Sequence, residues 1–155
     1  MIVEDMMNRT VKSSNPRDSL NQAAQLMWEN TCGAVPVVDD QQKPVGFLTD
    51  RDICMAAYTQ GGTLERMRVE TAMARRVVGC HAGDDLNIAL RLMAENGLRR
   101  LPVVDSDGKL AGILSLDDIA CEAGRKLRGG VNSELRERLA EVWISICRGR
   151  ARARV

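Results

Sequence analysis

The chain contains few aromatic residues and no long apolar run. Only 3% of its 155 residues are aromatic, so the core must be aliphatic, with eight methionines as adaptable filling. No stretch approaches the roughly 18 apolar residues of a membrane-spanning helix, and the N-terminus MIVEDMMNRTVK shows no signal peptide. We therefore expect a cytoplasmic protein that has no membrane partner.

The chain is also poor in groups that catalyse reactions or bind metals. His81 is its only histidine, and none of its five cysteines forms a CxxC pair. His81 lies beside Cys80, but two adjacent residues without a distant partner are weak support for a metal site. One histidine assembles no nucleophile-base constellation, and the odd cysteine count favours reduced thiols in a cytoplasm. We expect neither an enzyme nor a catalytic cofactor, and the net charge of +1 predicts no polyanionic partner.

The chain instead contains an internal repeat. Residues 3–54 align without a gap on residues 69–120, and 22 of the 52 aligned pairs are identical by direct comparison. VEDMMNRTV corresponds to VETAMARRV, DSLNQAAQLMWEN to DDLNIALRLMAEN, and VPVVDDQQKPVGFLTDRDI to LPVVDSDGKLAGILSLDDI. Two copies are too few for a solenoid, so we interpret the chain as two matched units.

The first half of each copy predicts a short strand followed by a helix. Extended pieces are expected around Val11 and Val77. Asp18 and Asp84 are the predicted N-caps of helices whose apolar residues recur at i, i+3, i+4 and i+7. Gly97 is the predicted C-terminal stop of the second of these helices.

The second half of each copy predicts a hairpin and another helix. VPVV and LPVV are short buried strands, VGFL and AGIL are their partners, and the next helices begin at Thr49 and Ser115. One β-α-β-β-α unit cannot cover its own small sheet. We therefore expect an α+β fold in which units 1–62 and 63–128 pack sheet against sheet as a pseudo-two-fold pair.

Residues 129–155 form a separate C-terminal segment. Gly129-Gly130 is a predicted break, and Asn132 or Ser133 is a predicted cap of a helix that ends near Arg148. The apolar stripe of this helix consists of Leu135, Leu139, Val142, Trp143 and Ile146. The stripe either packs on its own module or forms a dimer contact. The end, RGRARARV, has four arginines but no aromatic residue, and we expect a solvated end more than a nucleic-acid or lipid contact.

The repeat resembles the CBS domain, named for cystathionine beta-synthase, and the tandem resembles a CBS pair or Bateman module. The resemblance depends on VEDMM, on VPVVD with GFLTDRDI, and on LPVVD with GILSLDDI, and it covers roughly residues 1–125. It implies binding of an adenine nucleotide or S-adenosylmethionine in clefts between the repeats. It further implies a regulatory function without catalysis, and a homodimer.

Thr49 and Asp52, like Ser115 and Asp118, have two interpretations. The spacing [ST]-x-x-D is typical of a capping box. A helix N-terminus also suits phosphate, and a carboxylate suits a ribose diol. The resemblance implies the second role, with at least one Asp on the ribose.

Basic residues distinguish the two copies. Guanidinium groups hold phosphate oxygens in a bidentate manner, and the resemblance implies this role for Arg99 and Arg100, which align with the uncharged Gly33-Ala34. Arg51 is a further candidate in the first copy. Its counterpart, Asp117, would repel phosphate, which weakens the case for Ser115 and Asp118.

The adenine base needs an apolar slot, and four aliphatic residues are candidates. They are Val11, Val35, Val77 and Leu101. Each is favoured more strongly as plain core than as a base contact.

The expected function is that of a ligand-sensing module that signals to a separate protein effector. The main alternative is a scaffold with empty clefts, in which the Thr, Ser and Asp residues are only helix caps. A nucleic-acid adaptor is a third interpretation, and it depends on the arginine-rich end alone.

Overall fold

The computed structural model describes residues 1–125 and 133–152. The chain forms two compact units, each with its own hydrophobic core. The first-repeat unit consists of residues 10–77 and 107–110, and the second-repeat unit of residues 1–9, 78–106 and the described residues from 111 onward. The predicted boundaries at residues 62 and 128 remain predictions.

The helices and strands follow the order predicted from the repeat. The first copy contains α1 (Leu20–Glu29), β1 (Ala34–Val38), β2 (Pro44–Thr49) and α2 (Asp50–Gln60). The second contains β3 (Cys80–His81), α3 (Leu86–Asn96), β4 (Arg100–Val104), β5 (Leu110–Ser115) and α4 (Leu116–Arg125), followed by α5 (Ser133–Arg152). Short 3-10 turns at Val3–Asp5 and Val69–Thr71 begin the two copies.

The N-caps of α1 and α3 lie one residue later than predicted. Ser19 caps α1 in a capping box with Gln22, and Asp85 caps α3 by accepting from the amide of Asn87 at 2.9 Å. The predicted caps, Asp18 and Asp84, instead stabilise the preceding loops. Asp18 accepts from the Asn15 amide at 2.7 Å, and Asp84 from the His81 amide at 2.8 Å. In each copy two adjacent residues can cap the helix, so the sequence pattern does not decide which of them is the N-cap. The predicted stop at Gly97 is confirmed, with φ at 65°.

The first strand is predicted near Val11 and Val77, but the pairing occurs three residues later, as a bridge at Ser14 in the first copy and as β3 in the second. In the second copy β3 pairs in parallel with β4, with Cys80 opposite Val103, and the Ala82 amide extends the contact to the Val104 carbonyl at 3.1 Å.

The first copy forms only one bridge at this place, between Ser14 and Val37. Pro16 aligns with Ala82 and has no N–H to continue the ladder. Among the described residues, the sheet of the first copy therefore consists of two antiparallel strands, β1 and β2. Ala34 lies opposite Thr49 in this pair.

Each unit includes the segment that begins the other repeat. Val3 is fully buried in the core of the second-repeat unit, whereas the aligned Val69 is fully buried in the core of the first-repeat unit. Asn8 exchanges two backbone hydrogen bonds with Ile113, at 2.8 and 3.0 Å. A Cβ on Gly112 would lie 2.8 Å from the Asn8 carbonyl oxygen, so glycine allows this close approach.

Helix α5 packs on α3 and α4 of the second-repeat unit. Its side chains at Leu135, Leu139, Val142 and Ile146 are buried in that core, and Trp143 packs against it. The helix begins at Ser133 and continues to Arg152, beyond the predicted end near Arg148. The interpretation that the stripe packs on its own module therefore agrees with the structure. Asn132 and the Gly129-Gly130 break lie outside the described residues.

Replacing Ile146 with alanine should destabilise the protein by about 2–5 kcal/mol, because the side chain is only 1% exposed and its loss leaves a cavity. Ile144→Ala is the matched control on the same helix. That side chain is 49% exposed, and its loss should change the free energy of unfolding by less than about 0.5 kcal/mol. Urea unfolding of the two variants measures both values, and equal effects would contradict the packing of α5.

Candidate functional site

The N-terminus of α2 is closed by a reciprocal capping box. The Thr49 hydroxyl accepts from the Asp52 amide at 3.1 Å, and Asp52 Oδ2 accepts from the Thr49 amide at 2.9 Å and from its hydroxyl at 2.7 Å. Asp52 is half-buried. Among the described residues, no group donates to its other oxygen, Oδ1. The capping interpretation is therefore confirmed, and one carboxylate oxygen remains available.

The N-terminus of α4 has the same arrangement. The Ser115 hydroxyl accepts from the Asp118 amide at 3.1 Å and donates to Asp118 Oδ2 at 2.5 Å. The Ser115 amide donates to the same oxygen at 3.1 Å. Ser115 is buried and Asp118 half-buried. Here too, no donor to Oδ1 is found within the described part of the chain.

A second contact fixes each helix N-terminus against the loop before the hairpin. The Asp50 amide donates to the Gly33 carbonyl at 3.1 Å, and the Leu116 amide donates to the Arg99 carbonyl at 3.0 Å. The fold thus holds Arg99 at the start of α4. This proximity joins residues 17 positions apart in sequence, so it could not be read from the local pattern.

The amide of the second residue in each of these helices has different hydrogen-bond partners in the two copies. The Arg51 amide donates to Asp50 Oδ1 at 2.7 Å, so a carboxylate of the chain itself occupies it. The aligned residue of Asp50 in the second copy is Leu116, which has no carboxylate. In residues 1–125 and 133–152, no group accepts from the Asp117 amide. Of these two amides, the one in the second copy is therefore open to an anion as far as the described residues show.

Arg100 and Asp117 form an ion pair, which sequence reasoning missed. Arg100 Nη2 lies 3.8 Å from Asp117 Oδ2, and the Asp117 side chain is 72% exposed. A long, solvated pair of this kind contributes little to stability. The negative charge predicted to repel phosphate is thus partly neutralised by Arg100, and this weak pair can rearrange around a ligand.

The first copy has neither of these arginines at the aligned positions. A Cβ on Gly33 would lie 2.9 Å from Asp50 Oδ2, so a larger residue there would displace that carboxylate. Arg51 is exposed at the start of α2. Each helix has two acidic residues in its first turn. The first copy adds one basic residue there, Arg51, whereas the second copy has Arg99 and Arg100 in the segment next to the helix start.

The four candidate base contacts divide into two classes. Val35 and Leu101 are fully buried in the two cores. Val11 and Val77 are half-buried and lie before the first strand or bridge of their copies. A contact of any of these residues with adenine remains a prediction.

Cys80 and His81 form the short strand β3. Cys80 is buried in β3, and burial, followed by the charge of Asp84, raises the pKa of its thiol to about 12. His81 is exposed. Within the described residues no cluster of three His, Cys, Asp or Glu could hold a metal ion, and no helix has the length and apolar content to span a membrane.

The sequence profile of the CBS domain matches residues 3–58 and 69–123. The chain belongs to the CBS domain family. The two matched segments coincide with the two copies of the repeat, so the chain contains a tandem CBS pair followed by a C-terminal helix. As a relative, protein MK0525 of Methanopyrus kandleri is 32% identical over 117 residues, which cover 76% of this chain and 60% of that protein.

Two solved CBS pairs are similar in fold and contain adenosyl ligands. CBSX2 of Arabidopsis thaliana, in complex with AMP, is 29% identical with a TM-score of 0.69 over 82% of this chain and 98% of that chain. The CBS pair of MJ0100, in complex with 5'-methylthioadenosine and S-adenosyl-L-methionine, is 25% identical with a TM-score of 0.71. That alignment covers 81% of this chain and 98% of that chain. These likenesses support a regulatory, ligand-binding CBS module.

Replacing Ser115 with alanine should destabilise the protein by about 1 kcal/mol, because it removes the cap of α4 and leaves the Asp118 amide without its acceptor. Ser106→Ala, at an exposed turn position, is the matched control and should be neutral. Thermal unfolding of both variants without ligand is the measurement. Equal stabilities would contradict the structural role of the cap.

Proposed function

We propose that this CBS pair is a sensor of an adenosine-containing ligand that signals to a separate protein effector. The candidate ligands are AMP, ADP, ATP and S-adenosylmethionine. Related CBS pairs bind AMP or S-adenosylmethionine, and the family membership of this chain supports the same ligand class. The module would act by binding the ligand more tightly in one of two conformations, and that difference alone couples ligand to effector.

The second repeat is the proposed site for a phosphorylated ligand. The observation that carries this proposal is the coincidence of an open amide at Asp117 with Arg99 and Arg100 at the start of α4. Amide N–H groups and the positive end of the helix dipole attract a phosphate, and guanidinium groups provide charge-assisted hydrogen bonds. The Arg100–Asp117 pair would open as phosphate replaces the carboxylate.

The ribose is proposed to bind at Asp118. Its Oδ2 closes the capping box, while Oδ1 is available to accept from a ribose hydroxyl. The capping box also restrains the carboxylate before ligand arrives, which lowers the entropic cost of binding. Asp52 has the same geometry in the first repeat, where Asp50 occupies the neighbouring amide. A ligand without phosphate is the better match there.

A scaffold function is the second candidate, and the complete capping boxes favour it. Thr49, Asp52, Ser115 and Asp118 have a structural role without any ligand. A scaffold would show no stabilisation by adenosyl compounds, whereas a sensor gains stability by mass action. The nucleic-acid alternative depends on the end of the chain, where residues 153–155 lie outside the described part.

AMP should raise the melting temperature of the protein, and Arg100→Ala should weaken AMP binding roughly 10- to 100-fold, the usual range for a hydrogen bond to a charged group. Binding of adenosine, which lacks phosphate, should be unchanged in that variant. Asp118→Asn should weaken both compounds. Isothermal titration calorimetry measures each affinity.

Arg51→Ala and Asp52→Asn are the matched first-repeat controls for that experiment. If AMP prefers the second repeat, Arg51→Ala should reduce its affinity less than Arg100→Ala does, and Asp52→Asn less than Asp118→Asn does. Unchanged AMP affinity in Arg100→Ala would refute the phosphate assignment. If neither the adenine nucleotides nor S-adenosylmethionine stabilised the protein, the scaffold function would be favoured.

A further inference from the structure

The helices of the first repeat form an open groove, which we call the first-repeat groove. Its volume is about 660 Å³, within the roughly 300–1,000 Å³ of clefts that take small molecules. One side of α1, the loop after it and the first turn of α2 form its walls. The residues that decide its chemistry are Ala24, Met27, Trp28, Cys32, Asp50 and Ile53.

The walls of the groove are apolar apart from one carboxylate. Met27 and Ile53 are buried in the core of the first-repeat unit, and Ala24 packs against that core. Trp28 is 84% exposed, so a molecule in the groove can reach its indole ring. Among the described residues, Asp50 alone brings a charge to the lining. The groove therefore combines an apolar surface, an aromatic ring and a negative charge.

The Asp50 carboxylate has one oxygen in use and one available. Its Oδ1 accepts from the Arg51 amide at 2.7 Å. Its Oδ2 lies 2.9 Å from the position that a Cβ on Gly33 would occupy, so glycine leaves space beside this oxygen. In the described part of the chain, no group donates to Oδ2. Arg51 is exposed in the same helical turn but does not belong to the lining. A donor in the groove thus has a free acceptor.

The second repeat has a different chemistry at the matching positions. Leu116, which aligns with Asp50, is buried in the second core. Ala94 aligns with Trp28, and its carbonyl accepts from the Ser145 hydroxyl of α5 at 3.1 Å. Packing of the shared fold therefore requires neither an indole nor a carboxylate at these two positions.

These features together match a positively charged organic molecule. The face of an indole attracts a cation, and a carboxylate attracts it further. Burial of an apolar body against the walls supplies the remaining free energy. An anion would be repelled by Asp50, and an uncharged molecule would use only the walls.

We propose that the first-repeat groove binds a small organic cation, which consists of an apolar or aromatic body and an ammonium group. The ammonium group donates to Asp50 Oδ2 and lies beside the Trp28 indole, and the body packs against Met27 and Ile53. This site goes beyond the proposed adenosine-containing ligand and does not depend on it.

Two probes that differ in charge test the proposal. 2-Phenylethylamine is protonated at pH 7, because its pKa is near the roughly 10.4 of a lysine ammonium. 2-Phenylethanol has the same body and no charge. The full-length protein carries Trp143→Phe, which leaves Trp28 as the only tryptophan and keeps an aromatic ring on the second core. Neither probe absorbs where indole is excited, so the emission of Trp28 measures binding.

The amine should bind with a dissociation constant of about 1 mM or lower. The alcohol should bind about 5- to 30-fold more weakly, as expected when a solvated ion pair and an exposed cation–π contact are both lost. Asp50→Asn keeps an acceptor for the Arg51 amide and should weaken only the amine, about 3- to 5-fold. Trp28→Ala should weaken both probes, the amine more, as measured by isothermal titration calorimetry.

Glu65→Gln is the matched control, since it removes a negative charge from an exposed position of the same unit outside the groove. Its affinity for the amine should be unchanged. Equal affinities for amine and alcohol, or equal losses in Asp50→Asn and Glu65→Gln, would overturn the proposal. So would the absence of binding together with the blue-shifted emission of a buried indole, which would show that the groove is covered. If Trp143→Phe does not melt cooperatively, calorimetry of the unmodified chain and of Asp50→Asn gives the same comparison.

Discussion

Each hairpin in this protein forms edge hydrogen bonds with the segment that begins the other repeat. Asn8 pairs with Ile113, and Ala74 pairs with Phe47 at the aligned position of the first repeat. The same exchange buries Val3 in one core and Val69 in the other. A unit of three short strands has too little surface to bury by itself, and the exchanged segments supply the missing apolar and hydrogen-bonding groups. Each hydrophobic core therefore includes residues that belong to the other repeat.

The helix N-termini combine stability with the proposed binding function. In both repeats one oxygen of the Asp in the capping box satisfies the hydroxyl and amide of the cap, and the other oxygen remains available. The carboxylate is thus held in a fixed position by interactions that the fold requires in any case. A site built in this way needs few additional residues, which agrees with the near identity of the two copies at these positions.

The structural differences between the two repeats arise from a few substitutions in matched geometry. Leu116 in place of Asp50 leaves the following amide open, and Arg99 in place of Gly33 adds a cation beside it. Trp28 in place of Ala94 converts a position that α5 covers into one that projects into solvent. The two repeats are thus equivalent frames that differ in the local chemistry at the start of the second helix and in what their helices contact.

Features set by neighbours in sequence could be predicted from the sequence. The capping boxes at Thr49 and Ser115 join residues three positions apart, and the left-handed stop at Gly97 depends on one residue. The repeat itself identified the family. Where neighbouring positions were nearly equal candidates, the prediction was wrong by one to three residues. The N-cap of α1 is Ser19 and not Asp18, and β3 begins at Cys80 and not near Val77.

The sequence alone thus determined two repeats, their order of elements, and the positions that could contact a ligand. Only the tertiary structure decided that the leading segments exchange, that Arg100 pairs with Asp117, and that α5 covers the helical face of the second repeat. These contacts join residues distant in sequence. Their free energy depends on burial and on the removal of water, which no local pattern records.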